Sequence, residues 1–591
     1  MQASRAALIR VARGSVRAVQ CRNYTAPMND VNFLVKDVLK IQDHYKELGY
    51  DNETLGEEML DMIMGESAKF SEQVLAPLQA VGDEVGCVQK DAHTVITPPG
   101  YKDAYDQFCA GGWQGLSYPA QYGGQELPQS LALFTSEMSA TACFPWTMYP
   151  GLSKGAINTI FAHGSEEMKE KYLHRMVSGE WTGTMCLTEP ACGSDLNQVS
   201  TKAESIGDGK YKINGTKIFI SCGEHDMTNN IVHCVLARLP GGGEGTRGIS
   251  LFLVPKHKVA DNGDISPEFN GVNIGRIEDK MGCHGSSTCE INFEDAEGYL
   301  IGTEHKGMNH MFTFINTSRI GTSMQGVAAA ELSYQNALWY TKERRAFRAL
   351  NGTVDPGAVA DPIIVHPDIR KMLLTQKAIA EGGRSMIYHC ALKADHIAKA
   401  VLNGDQKAAD DIEDRLGFMT PILKGFLTER GIEAANLGIQ LYGGHGYIKS
   451  NKQEQVLRDV RISAIWEGTT GIQALDLLGR KIFAKRANLA PIKDHCRELR
   501  GFAWDLMFNG SSSQVKMHAF QLYKKAWEWE VSVYQIGMMA KKDKNAVGSA
   551  SVDFLNYAGY ITLAEHWLRM EEVATKKMAK NEGDKDFLDS K

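Results

Sequence analysis

Glu467 stands in the run Ile465-Trp466-Glu467-Gly468-Thr469-Thr470-Gly471, a carboxylate with apolar or small neighbours on both sides. Such surroundings desolvate the charged form and raise its pKa, which makes a base strong enough to remove a carbon-bound proton. The alternative for the same run is a helix N-terminus carrying an ordinary surface glutamate. Upstream, Gly443, Gly444 and Gly446 permit a ligand or another backbone to approach more closely than a side chain would allow. Cys283-His284 and Cys289 carry metal-ligating side chains, but no second tight pair accompanies them. Buried or loop thiols are the expected reading there, and no metal is expected. The run Gly241 to Gly248 lacks the Gly-Lys-Ser/Thr ending of a phosphate-binding P-loop and reads as a surface loop.

The elements that must position these residues fall into blocks. Residues 25–181 read as mainly helical, with Leu60, Ile63, Met64 and Ala68 at helical spacing and Ser165 as the cap of a further helix. The loop from Gly111 through Pro119 to Gly124, and the pair Pro145-Trp146, interrupt the helices. Residues 182–298 read as a small all-β domain. Within it, Tyr211 to Ile220 carries Asn214-Gly215, the strongest short hairpin signal, and Ile231 to Leu236, Ile249 to Val254 and Cys289 to Phe293 are further strands. The helical period returns over residues 299–480, where Leu416, Met419, Leu423 and Phe426 share one face. A helix containing Tyr340 to Phe347 precedes a Pro/Gly-bearing loop, and long helices with short breaks predict an antiparallel bundle. Residues 481–591 form a further helical region with an apolar stripe at Phe554, Tyr557, Ile561, Ala564 and Leu568, expected to be core or subunit interface.

Composition excludes several classes. Of 591 residues, 43% are apolar and 23% charged, as in an ordinary soluble protein, and no apolar run reaches the roughly 18 residues of a membrane span. Twelve cysteines without paired spacing argue for a reducing compartment. Residues 1–24 carry Arg5, Arg10, Arg13, Arg17 and Arg22 and no acid, the pattern of a mitochondrial presequence cut near Thr25. Its removal leaves 59 basic against 71 acidic residues, a formal net of −12. A chain this acidic is not built for nucleic acid.

Four motifs, in order, resemble those of the acyl-CoA dehydrogenase family. Thr188-Glu189-Pro190-Ala191-Cys192-Gly193-Ser194-Asp195 is similar to its first signature, and Lys280-Met281-Gly282 to the start of its second. Gln440 with Gly443-Gly444-His445-Gly446-Tyr447 is similar to its bundle loop, and Arg458 to Ile462 leads into Trp466-Glu467-Gly468-Thr469. Length, His284 and the run to Asp476 resemble the long subfamily that includes 3-methylmercaptopropionyl-CoA dehydrogenase. The resemblance implies an α+β multidomain fold: a helical N-domain, a small β-barrel, a four-helix bundle and an extra C-terminal helical domain.

It also implies FAD between barrel and bundle, with Glu467 as catalytic base. The β-hydrogen leaves as hydride to flavin N5, and the enolate oxygen is held by the ribityl 2′-hydroxyl and the backbone N–H of Glu467. Carried over by position, Leu187, Thr188, Phe219 and Ser221 lie against the isoalloxazine. Arg344 and Phe347 reach the FAD of a neighbouring subunit, with Gln440, Gly444 and Thr469 completing that pyrophosphate and adenine site. Ser194 and Arg319 contact the acyl-CoA substrate. Electron-transfer flavoprotein is the implied partner, a homodimer or homotetramer the implied assembly, and the mitochondrial matrix the implied compartment.

The chain departs from the family at Gly471, where many members have glutamine, at Ala346, and at Cys283-His284, which replaces Ile-Arg. Members that carry the base elsewhere place it at the position of Ser318, where serine cannot serve. Two other readings remain open: an acyl-CoA oxidase, and an assembly or scaffold protein on the same fold.

Overall fold

The computed structural model describes residues 24–260, 262–484 and 489–591. The expected presequence lies outside these residues apart from Tyr24, which is 5% exposed.

After short helices at Met28–Asn32, Ile41–Glu47 and Asn52–Leu55, the longer N-terminal helices are α1 (Glu57–Phe70), α2 (Ala76–Val85), α3 (Tyr101–Ala110), α4 (Gln129–Ala142), α5 (Phe144–His163) and α6 (Glu166–Val177). Helix α6 begins where the capping signal puts it, with Ser165 Oγ accepting from the Met168 N–H at 3.2 Å. A small hairpin, β1 (Val88–Asp91) and β2 (Thr94–Ile96), interrupts the helices. Its few residues are too brief an alternation to stand out in sequence.

Next come β3 (Trp181–Cys186), β4 (Lys202–Gly207), β5 (Lys210–Ser221), β6 (Asn230–Arg238) and β7 (Ile249–Pro255). They are followed by a separate hairpin, β8 (His257–Val259) with β9 (Ile265–Phe269), then β10 (Val272–Ile277) and β11 (Thr288–Leu300). The strand order is β10-β11-β5-β4-β6-β3, and β7 pairs with both β6 and β11. That double pairing closes β11, β5, β4, β6 and β7 into a small barrel around Ile213, Val235, Phe252 and Ile291.

One expectation is corrected here, because Asn214-Gly215 is not a turn but lies inside the 12-residue strand β5. The hairpin is made at Asp208-Gly209, where φ values of 51° and 71° bring Gly207 opposite Lys210. Gly215 serves close packing instead: a Cβ there would lie 2.5 Å from Thr201 Oγ1.

The bundle consists of α7 (Gly307–Glu343), α8 (Pro367–Leu402) and α9 (Gln406–Tyr442) with a broken fourth member. That member is α10 (Gln453–Val460), a tight turn at Arg461–Ala464, and α11 (Thr470–Leu475), which continues in wider turns to Ile482. Glu467 sits in the break. Helix α7 stops at Glu343, so Arg344 to Phe347 lie in the following loop rather than in a helix. Phe347 has φ 58°, a left-handed conformation that cannot continue one.

Three long helices, α12 (Ala490–Asn509), α13 (Ser513–Lys542) and α14 (Asn545–Ala579), followed by a short one at Lys585–Asp589, cover α8 and α9. Trp567 Nε1 donates to the Ala378 carbonyl at 3.0 Å, and Ser385 Oγ meets His566 Nδ1 at 2.9 Å. Of the expected stripe, Phe554, Ile561 and Leu568 are buried and Tyr557 is half-buried, but Ala564 is exposed. The buried face runs through Leu555, Ala558 and Thr562 instead. Arg384, at 1% exposure, joins α8 to the N-terminal helices through Glu137 at 2.7 Å and to α7 through Glu331 at 2.9 Å. Among the described residues no helix is long and apolar enough to cross a membrane.

Candidate active site

Between α4, α5 and α7 lies a cavity of about 200 Å³, walled by Phe70, Phe108, Trp113, Trp146, Met148 and Leu152 among others, and lined also by Glu467. Glu467 and Gly468 both take left-handed backbone, with φ 56° and 95°. For a glutamate that conformation costs of order 1–3 kcal/mol and persists only where the surroundings enforce it. Here Gln473 Nε2 donates to the Glu467 carbonyl at 3.0 Å and Lys424 Nζ to the Gly468 carbonyl at 2.6 Å. The carboxylate is fixed by Thr322 Oγ1, which donates to Oε2 at 2.5 Å.

Burial pushes the Glu467 carboxyl above its ordinary value, against the Thr322 hydrogen bond and the Lys424 and Arg319 charges. Burial likewise pulls the Lys424 ammonium down to about 8. Thr322 and Lys424 were not singled out from sequence. The available signal for Thr322 was the α7 face of Ser318, Gly321, Thr322 and Gln325, all of which line the cavity.

These contacts set a test. Removing the Thr322 hydroxyl deletes a hydrogen bond that favours the charged carboxylate, a contribution of about 1.5–3 kcal/mol. Thr322→Val should therefore raise the kinetic pKa of the ionised base, moving the acid limb of the kcat/KM profile about one to two pH units upward. An unmoved limb would show that Thr322 does not set the base.

The barrel brings a second group together. The Thr188 carbonyl accepts from the Ile218 N–H at 2.9 Å and the Leu187 carbonyl from Lys217 Nζ at 3.0 Å. Leu187 and Thr188 thus lie beside the end of β5, which carries Phe219 and Ser221. Phe219 is left-handed, with φ 58°, and its side chain is 59% exposed. Glu189, missed as a positioning residue, locks this corner by an ion pair to Lys217 at 2.8 Å. Burial opposes its ionisation, but Lys217, Ser200 and Thr201 overcome that and hold the carboxyl at about 2.

A third group lies elsewhere. Tyr340 stacks on Tyr442 with centroids 4.1 Å apart, so Arg344, Phe347, Gln440 and Gly444 gather at one end of α7 and α9. All four are exposed. Arg344 forms no ion pair among the described residues, whereas Arg345 and Arg348 are paired with Asp355 and Asp361. At 1.5 Å per residue, Arg344 lies about 30 Å along α7 from Thr322 and Glu467.

The barrel corner belongs to the Glu467 end. Cys222 next to Ser221 donates to the Ser287 carbonyl, the Ser287 N–H donates to Tyr149 Oη, and the neighbouring Met148 Sδ accepts from Gln325. Thr469, expected with Gln440 and Gly444, is also at this end. Its Oγ1 caps α11, and its neighbour Thr470 bonds Glu429, about 16 Å along α9 from Gln440. The reason is the break in the fourth bundle member, which turns the chain after α10 away from the α9 terminus.

Arg319 and Ser318 are neighbours with different roles. Ser318 lines the Glu467 cavity, while Arg319 pairs with Asp476 at 3.2 Å and lines a separate polar cavity of about 180 Å³ with Arg480 and Lys481. Ser194 is exposed on the loop after β3. Cys283 and His284 act as fasteners: the Cys283 N–H donates to Asp459 Oδ1 at 2.6 Å, and His284 Nδ1 lies 2.9 Å from Asp83. Arg458 reaches the same Asp83 at 2.6 Å, so the charged turn ties the barrel to the bundle. At Gly471 a Cβ would meet nothing within 4 Å, so the departure at that position leaves no packing defect.

Comparisons with known proteins agree with this architecture. The chain matches the family models "Acyl-CoA dehydrogenase, N-terminal domain" over residues 58–180, "middle domain" over 184–296 and "C-terminal domain" over 305–482. A fourth, "Acetyl-CoA dehydrogenase C-terminal like", matches residues 489–591. It is 37% identical to 3-methylmercaptopropionyl-CoA dehydrogenase of Ruegeria pomeroyi, over 96% of this chain and 94% of that one. It is 34% identical to a butyryl-CoA dehydrogenase of Syntrophomonas wolfei, over 81% and 79%. Among solved structures, acyl-CoA dehydrogenase complexed with FAD from Bacillus anthracis superposes with a TM-score of 0.71 at 23% identity, over 89% of this chain and 84% of that one. The three catalytic-core domains and the C-terminal extension all match in order, and the chain belongs to the acyl-CoA dehydrogenase family, in its long subfamily.

Proposed function

We propose that the chain converts a saturated acyl-CoA to the trans-2-enoyl-CoA, with Glu467 removing the proton α to the thioester carbonyl. The observation that carries this reading is a carboxylate held on a left-handed residue by Thr322, with burial raising its pKa, in the lining of a largely apolar cavity. An α-proton is weakly acidic, so a desolvated base is what the step requires. Lys424 fixes the turn that presents the base, and the Glu467 backbone N–H is the donor assigned to the enolate oxygen. The aromatic and aliphatic wall holds the acyl chain and excludes water, so the removed proton stays on Glu467.

Family membership makes the enzyme FAD-dependent, and bound FAD supplies the acceptor for the β-hydrogen as hydride. The residues fit that group. Phe219 and the Leu187-Thr188 corner offer a partly exposed apolar face for a planar ring, and Arg344, exposed and without an ion-pair partner among the described residues, carries a guanidinium suited to phosphate oxygens. Because these two sets lie about 30 Å apart along α7, Arg344, Phe347, Gln440 and Gly444 serve the cofactor of a second subunit, and the working form is a homodimer or homotetramer. Ser194 and Arg319 are assigned to the CoA side by resemblance, Arg319 beside the base rather than in its cavity. Electrons pass to electron-transfer flavoprotein, in the mitochondrial matrix.

Anaerobic titration of the purified holoprotein with straight-chain and branched acyl-CoAs should bleach the flavin, and light scattering should report two or four chains. A flavin that no acyl-CoA reduces would overturn the reaction. Reoxidation by oxygen as fast as by electron-transfer flavoprotein would make the enzyme an oxidase instead.

A further inference from the structure

The cavity lined by Glu467 contains one cation. Among its lining residues Lys154 is the sole lysine or arginine and Glu467 the sole carboxylate. The two do not pair. Lys154 Nζ donates to the neutral hydroxyl of Ser136 on α4 at 3.1 Å, and among the described residues it has no ion-pair partner. An ammonium carries three donors, so this bond leaves two unused. Its pKa is pulled down to about 8 by burial alone, with no nearby carboxylate to oppose it. A desolvated cation without a counter-charge is costly, and such groups are ordinarily paired.

The placement of Lys154 follows from the antiparallel packing of α5 on α7. Met148 Sδ accepts from Gln325 Nε2 at 3.7 Å, Asn158 Nδ2 donates to Thr317 Oγ1 at 3.3 Å, and His163 Nε2 meets Thr313 Oγ1 at 2.8 Å. Lys154 lies between the first two contacts. It lines the same cavity as Thr317, Ser318, Gly321, Thr322 and Gln325 of α7, and Thr322 is the partner of Glu467. A wall built only for hydrocarbon needs no ammonium. An unsubstituted acyl chain would leave the two spare Lys154 donors without acceptors, at a cost that selects against it.

We propose that Lys154, with Ser136 and Asn158, forms a polar subsite that binds a hydrogen-bond-accepting oxygen group on the acyl chain beyond Cβ, a chain carboxylate being the strongest case. Resting on the dehydrogenase reading above, this names the substrate class: acyl-CoAs whose chain carries an oxygen acceptor. Recognition of this kind discriminates more strongly than one methylene does, because the wrong substrate strands buried donors.

The test compares three acyl-CoAs of equal chain length, hexanoyl-CoA, adipoyl-CoA and the monomethyl ester of adipoyl-CoA, on holoenzyme with wild-type, Lys154→Met and Lys154→Arg chains. Wild type should favour adipoyl over hexanoyl by tenfold or more in kcat/KM. Lys154→Met should collapse that ratio by at least tenfold, mainly through KM for the acceptor-bearing substrates, and Lys154→Arg should restore part of it. If the ester is favoured along with the acid, the subsite reads an oxygen acceptor; if the acid alone is favoured, it reads an anion. Either result supports the subsite. A wild type that prefers hexanoyl-CoA, with a ratio Lys154→Met leaves unchanged, overturns it while the dehydrogenase reading stands. Flavin reduced by none of the three, nor by the longer and branched series, would instead sink that underlying reading. A Lys154→Met chain that does not fold leaves the wild-type ratio and Lys154→Arg to decide.

Discussion

Glu467→Gln should lower kcat for the preferred acyl-CoA by about 10²–10⁴-fold while the protein still binds substrate. Glutamine keeps the size of the side chain and an oxygen able to accept from Thr322, and it leaves untouched the Gln473 and Lys424 bonds that shape the turn. What it removes is the proton acceptor. The loss should therefore fall on kcat, with the spectral shift of bound flavin on substrate addition retained. A variant within threefold of wild type would exclude Glu467 as the base.

The pH profile supplies a second readout of the same residue. Because burial raises the Glu467 pKa, the ionised base forms only above the usual carboxylate range. Activity should fall on the acid side at a correspondingly higher pH, and Glu467→Gln should abolish that limb in whatever residual rate remains.

Arg384→Gln should cost about 3–5 kcal/mol of stability, because it removes the one cation between two buried carboxylates. Glu137 and Glu331 are 3% and 4% exposed and lie 2.7 and 2.9 Å from the guanidinium. Left together they must stay charged in a dry interior or take up protons. Burial already pushes the Glu137 carboxyl upward even with Arg384 present. A fall in melting temperature of about 3–4 °C is expected for a chain of this size, larger at pH 8 than at pH 5, where the stranded carboxylates can be neutralised. Replacing all three by Met, Gln and Gln should recover much of the loss, since exchanging a buried ion cluster for neutral groups is far cheaper than breaking it. A melting temperature unchanged in Arg384→Gln would show that the triad does not join the helices.

Much of the architecture was legible because it is written in local periodicity. Ser165 capped its helix, the β-branched runs became barrel strands, and the long 3.6-period segments became α7, α8 and α9. The hairpin was misplaced because Asn-Gly and Asp-Gly are equally good local turn formers. Only pairing with β11 and the approach of Thr201 to Gly215 decided that the chain turns at Asp208 and runs straight at Asn214. Ala564 fell outside the buried face for a similar reason: a stripe read at helical spacing does not say how wide a surface the neighbouring helices cover.

By itself the sequence determined the order of the domains, the family signatures and the identity of Glu467 as a carboxylate among apolar residues. Those properties reside in short stretches of chain, where residue type and spacing suffice. The tertiary structure alone decided what surrounds that carboxylate: Thr322 from α7, Lys424 from α9, and a lone Lys154 from α5 in the same cavity. It also separated Thr469 from Gln440 and placed Arg344 far from the base. A pKa and a cavity depend on groups remote in the chain and close in space, and only packing brings those together.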